Sequence, residues 1–486
     1  MKIRSMMLFC MMVAMSLLGG QYEDRWFYVS RKLNSDKDLA EVEELVRRAG
    51  KVNMNGMLFY CGVEYYGNWM PDRKARLAQL KRTCEANGVE IIPVIWSIGY
   101  GTMLGRNPNL VEGIPCKEIP YIAKNGKAYC QRKVNFTLEN GDFERHDGDR
   151  FQLNGWIDGP GERSFADMDV AHGGKCSARL ENFMADKHGH GRICLNLKLT
   201  PYRRYRMKVF AKTDGLVPCK GSFRIQFYSK KGTQLAFISP DIKPTQDWME
   251  YAMLFSNGDE AEGYLYIGMW GGGKGTLWID DISLEEDGVS DVIRRDGAPF
   301  TVKNAKNGEL YVEGRDYGKV DGLKGLSDAP KESLVLNLPN GSRIQDGDEL
   351  LVSFYQPAKG GKSQYSTCMS EPILYDVFRD SAKQIVEALN PRKWFLSMDE
   401  IRSGGTCAAC EARHTDMAHI LGDCITKQRQ IIKEVRPDAE IYVWSDMLDP
   451  VHNAHDNYFN CKGTFEGGME PDSKGFDNHL LVPQEA

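Results

Sequence analysis

From Trp26 to Trp96 the apolar positions alternate between two kinds of spacing. Trp26-Phe27-Tyr28-Val29-Ser30, Met57-Leu58-Phe59-Tyr60 and Ile91-Ile92-Pro93-Val94-Ile95-Trp96 are short apolar runs that predict buried strands. Between the first two, Leu39, Val42, Leu45, Val46 and Ala49 share one helical face behind Ser35, which can cap it. Between the second and third, Leu77, Leu80 and Cys84 share a face that Pro71 opens and Gly88 ends. Strands alternating with helices imply right-handed parallel crossovers, and enough of them close a barrel. The pattern resumes late in the chain. Residues 350–355 predict a fourth strand, 371–389 a helix, and 394–398 a fifth strand; 417–435 predict a helix carrying Leu421, Cys424, Ile425, Ile431, Ile432 and Val435, and 441–445 a sixth strand. The expected fold class is α/β, a (β/α)8-type barrel that is truncated at its C-terminal end.

Residues 140–286 break this pattern. Runs such as Arg206-Met207-Lys208-Val209-Phe210-Ala211 and Phe223-Arg224-Ile225-Gln226-Phe227-Tyr228 alternate between turns without helical periodicity, which predicts an all-β sandwich inserted after the third barrel strand. Asn307-Gly308, Asn340-Gly341 and Asp346-Gly347 mark 287–347 as a hairpin-rich connector. The barrel is thus expected in two parts, 21–139 and 348–486. After the sixth strand only a fragment ending at Glu466 reads as strand. Codons for residues 469–475 can be chosen that, one base out of phase, spell Trp-Asn-Arg-Ile-Pro-Lys, so a frameshifted end is expected.

Three of the late apolar runs end in acids: Met398-Asp399-Glu400, Trp444-Ser445-Asp446 and Phe465-Glu466. A strand covered on both faces takes charge only at its end, and in a barrel that end carries the chemistry. Cleaving a glycosidic bond needs a protonated carboxyl for the leaving oxygen and a second group to stabilise an oxocarbenium-like state. Glu400 suits the first task, with Asp399 and Trp444 disfavouring its charged form, and Asp446 or Glu466 the second. A carboxyl separation of about 5–5.5 Å implies retention of configuration and one of about 6.5–9.5 Å inversion. Tyr60, Trp96, Tyr355, Arg402, His452 and Asn453 fall at or after strand ends, where sugar hydroxyls are within reach. A capping or mouth-closing role is the plainer reading for each.

Asn140-Gly141-Asp142-Phe143-Glu144, Trp156, Ala171-His172-Gly173-Gly174-Lys175-Cys176 and Trp278-Ile279-Asp280-Asp281-Ile282 resemble the jelly-roll carbohydrate-binding modules. The resemblance implies sugar binding on aromatic platforms, here Trp156, Tyr264, Tyr266 and Trp270, and a structural Ca2+ near Glu144 and Asp281. Trp248 and Trp278 are expected to fill the sandwich core. The Asp399-Glu400 pair, with Trp444 and Asp446 later, resembles the β-N-acetylhexosaminidase type of glycoside hydrolase. That resemblance implies Glu400 as general acid and Asp399 orienting a 2-acetamido group. Phe395-Leu396-Ser397-Met398 stands where the family carries His-x-Gly-Gly, a departure bearing on the acetamido substrate. The expectation is a secreted glycoside hydrolase acting on an oligo- or polysaccharide; the alternative is a non-catalytic glycan-binding protein with a degenerate barrel.

The 486 residues, 42% hydrophobic and 27% charged, suffice for two or more domains. A formal net charge of −5 gives no field for a nucleic-acid backbone. Met1-Lys2-Ile3-Arg4, the uncharged run 5–18 and Gly19-Gly20 have the parts of an export signal, so residues 1–20 are expected to be removed and the product to be secreted or periplasmic, without a stable membrane span. An uncleaved anchor is the runner-up. Of thirteen cysteines, Cys407 and Cys410 form a CxxC with His414 nearby and Cys368 in an earlier loop, which allows a structural zinc site or a local disulfide. No metal is expected in catalysis.

Overall fold

The computed structural model describes residues 22–131, 138–327, 331–360, 364–456 and 458–466. The stretch read as an export signal and the tail from 467 lie outside the described residues. The chain divides into two units. One comprises the described residues up to Trp96, Tyr375–Ser397 and Lys427–Trp444; the other comprises Ser97–Leu374, Met398–Thr426 and the described residues from Ser445.

In the first unit the strands Trp26–Ser30, Gly56–Tyr60, Glu90–Ile95, Lys393–Leu396 and Glu440–Val443 lie side by side in chain order, every pairing parallel. The helix Asp36–Lys51 starts in a capping box: Ser35 Oγ accepts from Asp38 N at 3.2 Å, and Asp38 Oδ2 accepts from Ser35 N at 3.0 Å. Leu39, Val42, Val46 and Ala49 are buried as their spacing predicts, while Leu45 is exposed. Glu43 is buried instead, its carboxylate held by Thr83 and Gln79 of the helix Pro71–Ala86.

Five strands pair here rather than eight, and the first and last are not hydrogen-bonded to each other. A flat sheet would hold those two strands about 19 Å apart, at roughly 4.8 Å per strand. Yet the rings of Trp26 and Tyr442 meet with centroids 4.7 Å apart, and those of Tyr28 and Trp444 lie 6.4 Å apart. The sheet is therefore strongly curled over Leu58, Ile92, Val94 and Phe395. Lys393 Nζ lies 4.9 Å from the Trp26 ring and pairs with Asp24 at 2.6 Å. Side chains, not backbone hydrogen bonds, bring the two edges together, and the expected (β/α)8-type barrel does not form among the described residues.

The fourth strand expected in that barrel lies in the other unit. Glu349–Pro357 pairs antiparallel with Gly113–Lys124 and Thr301–Asn304 in a six-stranded sheet completed by Leu310–Tyr311, Lys127–Cys130 and Leu336–Asn337. Leu350, Val352 and Phe354 face its core, whereas Leu351, Ser353 and Tyr355 are half-buried, the alternation of a strand with one inner face. The segment 287–347 is therefore not a connector alone, since it supplies three of these strands and the core residues Val302, Tyr311 and Leu336.

The inserted β-sandwich is present. One sheet runs Gly191–Lys198, Glu262–Met269, Phe223–Ser229, Gln234–Ile238; the facing one runs Gln246–Ser256, Arg204–Val217, Lys274–Glu286, Ser177–Leu180, Ser164–Asp167. Its core includes Phe143, Phe183, Tyr205, Phe223, Phe227 and Ile279. Trp248 and Trp278 are half-buried and outside that core, contrary to expectation. Trp278 Nε1 donates to Asp167 Oδ2 at 2.8 Å, and Trp248 meets the ring of His172 edge-on. An indole whose N–H needs a partner is held at the sheet's polar face.

Candidate functional sites

Glu400 follows the strand Lys393–Leu396 by four residues and takes a left-handed backbone, φ 47°, which an L residue adopts at a cost of about 1 kcal/mol. Neighbours hold it there. Gln364 Nε2 donates to Glu400 O at 2.7 Å, and Glu400 N donates to Asp446 Oδ2 at 3.0 Å. Gly99 permits the approach of the loop after the third strand: a Cβ there would lie 2.1 Å from Asp399 O. The Glu400 carboxylate accepts from Tyr100 Oη and, at 2.8 Å, from Arg402 Nη2. Burial, and then the bond to Glu400, push the Tyr100 phenol well above its usual range. Arg402 is fixed by Gln364 Oε1 at 2.9 Å and lies 4.8 Å from the Phe459 ring.

Asp446 Oδ2 also accepts from Asn453 Nδ2 at 2.8 Å, while its Oδ1 is buried without a hydrogen-bond partner. Asp399 is half-buried and acts electrostatically on Tyr100. Of the residues named from sequence, Glu400, Asp399, Asp446, Arg402 and Asn453 are thus gathered. Tyr100 and Gln364 were missed, because each sits on a loop with no periodic signal. What faces the Glu400 carboxylate at hydrogen-bond distance is the phenol of Tyr100 on one oxygen and the guanidinium of Arg402 on the other.

The other named residues go elsewhere. Trp96 is fully buried, stacked on Phe378 at 4.7 Å with Nε1 donating to Ser381 Oγ at 2.9 Å, so it packs the first unit and contacts no ligand. Tyr60 and Trp444 pack in that unit against the Leu58 and Phe395 cluster, Trp444 with its ring 4.5 Å from that of Phe395. Tyr355 stands on the six-stranded sheet, where burial raises its phenol to about 12 and Glu411, Cys407 and Glu112 add to the shift. His452 is exposed, and its N–H donates to Asp449 O. Glu466 is exposed, its N–H donating to Thr464 Oγ1 at 2.8 Å.

On the sandwich, the outer face of the four-stranded sheet collects aromatic and polar residues from segments far apart in sequence. Strand alternation puts Tyr264 and Tyr266 outward on Glu262–Met269, and register sets Tyr228 beside Tyr264 and Gln226 beside Tyr266. Across the other edge stand Asn196 and Cys194. Trp156 reaches in from the loop before the sheet, its ring 5.6 Å from that of Tyr266. The Arg192 guanidinium lies 5.1 Å from the Trp156 ring and 5.2 Å from that of Trp270, and Arg224 lies 5.7 Å from Trp270. Trp156 is exposed, and Tyr264, Tyr266 and Trp270 are half-exposed. All four aromatic residues named for this module therefore share one surface, together with Tyr228, whose alternation in Phe223–Ser229 carried the signal.

Among the described residues Glu144 and Asp281 do not belong to a cluster of metal-binding side chains. Glu144 Oε1 accepts from Lys175 N at 2.6 Å and Cys176 N at 3.0 Å, and Asp281 Oδ2 meets the His172 ring nitrogen at 2.6 Å. One oxygen of each carboxylate is thus taken by hydrogen-bond donors, where Ca2+ needs six or more oxygens, and among the described residues these two do not fit the ion. Among the described residues, the group of His, Cys, Asp or Glu side chains within metal-binding distance of one another is a different one: Glu112, Cys368, Cys407 and Cys410, all buried. His414, expected beside the CxxC, is exposed and outside it.

No protein-family model matches the chain, and no curated protein does. Among solved structures, a CBM4 module is similar at 16% identity over 31% of this chain and 100% of its own, with a TM-score of 0.25. TmCBM61 in complex with β-1,4-galactotriose is similar at 14% identity over 31% and 97%, TM-score 0.24. The CBM22-1 xylan-binding domain of Paenibacillus barcinonensis Xyn10C follows at 13% over 29% and 89%, TM-score 0.22.

Proposed function

We propose that the chain is a glycan-binding protein whose sandwich binds sugar on the outer face of its four-stranded sheet. The observation that supports this is the gathering of Trp156, Tyr228, Tyr264, Tyr266 and Trp270 on one accessible face, interleaved with Arg192, Arg224 and Asn196. The C–H faces of a pyranose stack on aromatic rings, while guanidinium and amide groups donate to its hydroxyls. The ligand is an oligo- or polysaccharide. Binding of the full chain to a glycan array, followed by calorimetry on the best ligand, tests this. Trp156→Ala and Tyr266→Ala each weaken binding about tenfold or more, some 1.4 kcal/mol, at unchanged thermal stability. Unaltered affinity in both variants removes this face as the site.

A second reading, hydrolysis of a glycosidic bond at Glu400, is favoured by the convergence of Tyr100 Oη and Arg402 Nη2 on the Glu400 carboxylate, with Asp446 holding the Glu400 backbone. On a panel of chromogenic glycosides, Glu400→Gln loses at least ~100-fold in kcat/KM, about 2.7 kcal/mol. Equal rates for variant and parent exclude hydrolysis at this residue.

A further inference from the structure

Beyond glycan binding, and independent of it, the buried cysteines carry a second assignment. We propose that Cys368, Cys407 and Cys410, with one carboxylate oxygen of Glu112, form a structural Zn2+ site.

Three segments far apart in sequence deliver these four groups. Glu112 lies on the loop entering Gly113–Lys124, Cys368 precedes the helix Pro372–Leu389, and Cys407 caps the short helix Ala408–Glu411 that contains Cys410. Their ligand atoms all lie within 4.8 Å of one another. Cys368 Sγ is 3.4 Å from Cys407 Sγ and 3.7 Å from Cys410 Sγ, and Cys410 Sγ is 3.6 Å from Glu112 Oε2. A tetrahedral zinc with Zn–S of about 2.3 Å and Zn–O of about 2.0 Å sets edges of roughly 3.8 Å between sulfurs and 3.5 Å between sulfur and oxygen. A disulfide would instead draw two sulfurs to about 2.05 Å and leave the third sulfur outside the bond.

The Glu112 carboxylate is divided as a ligand requires. Oε1 accepts from Thr406 N at 3.1 Å, Thr406 Oγ1 at 3.2 Å and Cys407 N at 3.0 Å, which leaves Oε2 turned to the sulfurs. That is the outer hydrogen bonding that orients metal-binding carboxylates. All four residues are at most 3% exposed, so the thiolates and carboxylate that bind a metal are stabilised here by a cation inside the cluster. Arg295, held by Glu371 at 2.7 Å and by Asn109 O at 2.7 Å, acts on both Glu112 and Cys407 and offsets part of the excess negative charge of three thiolates and a carboxylate around one divalent ion. Three thiolates select zinc over the hard cations Ca2+ and Mg2+.

The test uses the full chain, produced with zinc and under reducing conditions. Elemental analysis finds about one zinc per chain, released by a thiol-blocking mercurial but not by dialysis. Exchange for Co2+ gives thiolate-to-cobalt charge-transfer absorption with intense visible bands of tetrahedral type. Glu112→Gln keeps the thiolate absorption and binds zinc roughly tenfold or more weakly. The cobalt spectrum is read on the unsubstituted chain, so it decides even where Cys407→Ser fails to fold. Less than about one zinc in ten chains, or an intact mass and peptide map showing Cys368 bonded to Cys407 or Cys410, overturns the assignment.

Discussion

The carboxylate of Asp316 shows how much a single residue can organise. It is fully buried, with Arg343 Nη2 at 2.6 Å, Arg315 Nη2 at 3.0 Å and Val312 N at 2.7 Å from Oδ2, and these donors, Arg343 foremost, hold its carboxyl well below the usual range. A depressed folded-state pKa means stability that is present above the unfolded value of about 3.9 and is lost as pH falls through the folded one. Asp316→Asn therefore destabilises the protein by about 2 kcal/mol at pH 7, and the deficit shrinks at pH 3. Urea unfolding at both values checks this, and an equal deficit at each would contradict it. Glu400 is organised in the opposite sense. Its strained backbone is held by Gln364 and Asp446, so those side chains are committed to shaping the loop before any ligand arrives.

Elements were legible where period and cap agreed. Ser35 with Leu39, Val42, Leu45, Val46 and Ala49 defined a helix that the structure repeats, with Leu45 exposed and Glu43 buried in its stead, and acid tips followed two parallel strands. The strand at 350–355 was visible as a strand but not as antiparallel, because a continuous apolar run does not say whether both faces are covered or one. Its partner Gly113–Lys124 carries Pro115 and Pro120, and proline argues against a strand in a sequence reading. The prolines are accommodated beside an irregular register at Val352 and Phe354 and the left-handed Glu118. At the sites, strand parity placed Tyr264 and Tyr266 together, whereas Tyr100 and Glu112 came from loops whose folded position depends on contacts far along the chain.

At the scale of the whole molecule, each unit is built around its own core, a curled parallel sheet in one and antiparallel sheets in the other. Among the described residues no helix is long and apolar enough to cross a membrane. The first unit joins its outermost strands through the rings of Trp26 and Tyr442 with Lys393 alongside, and this contact is also an optical reporter. An indole packed against a phenol and an ammonium emits differently once water replaces them. The emission lost in Trp26→Phe, followed during urea titration, isolates the opening of this sheet from the signal of the other eight tryptophans among the nine in the chain. A midpoint for that difference signal separate from the far-ultraviolet transition would mark the curled sheet as a foldon with its own stability.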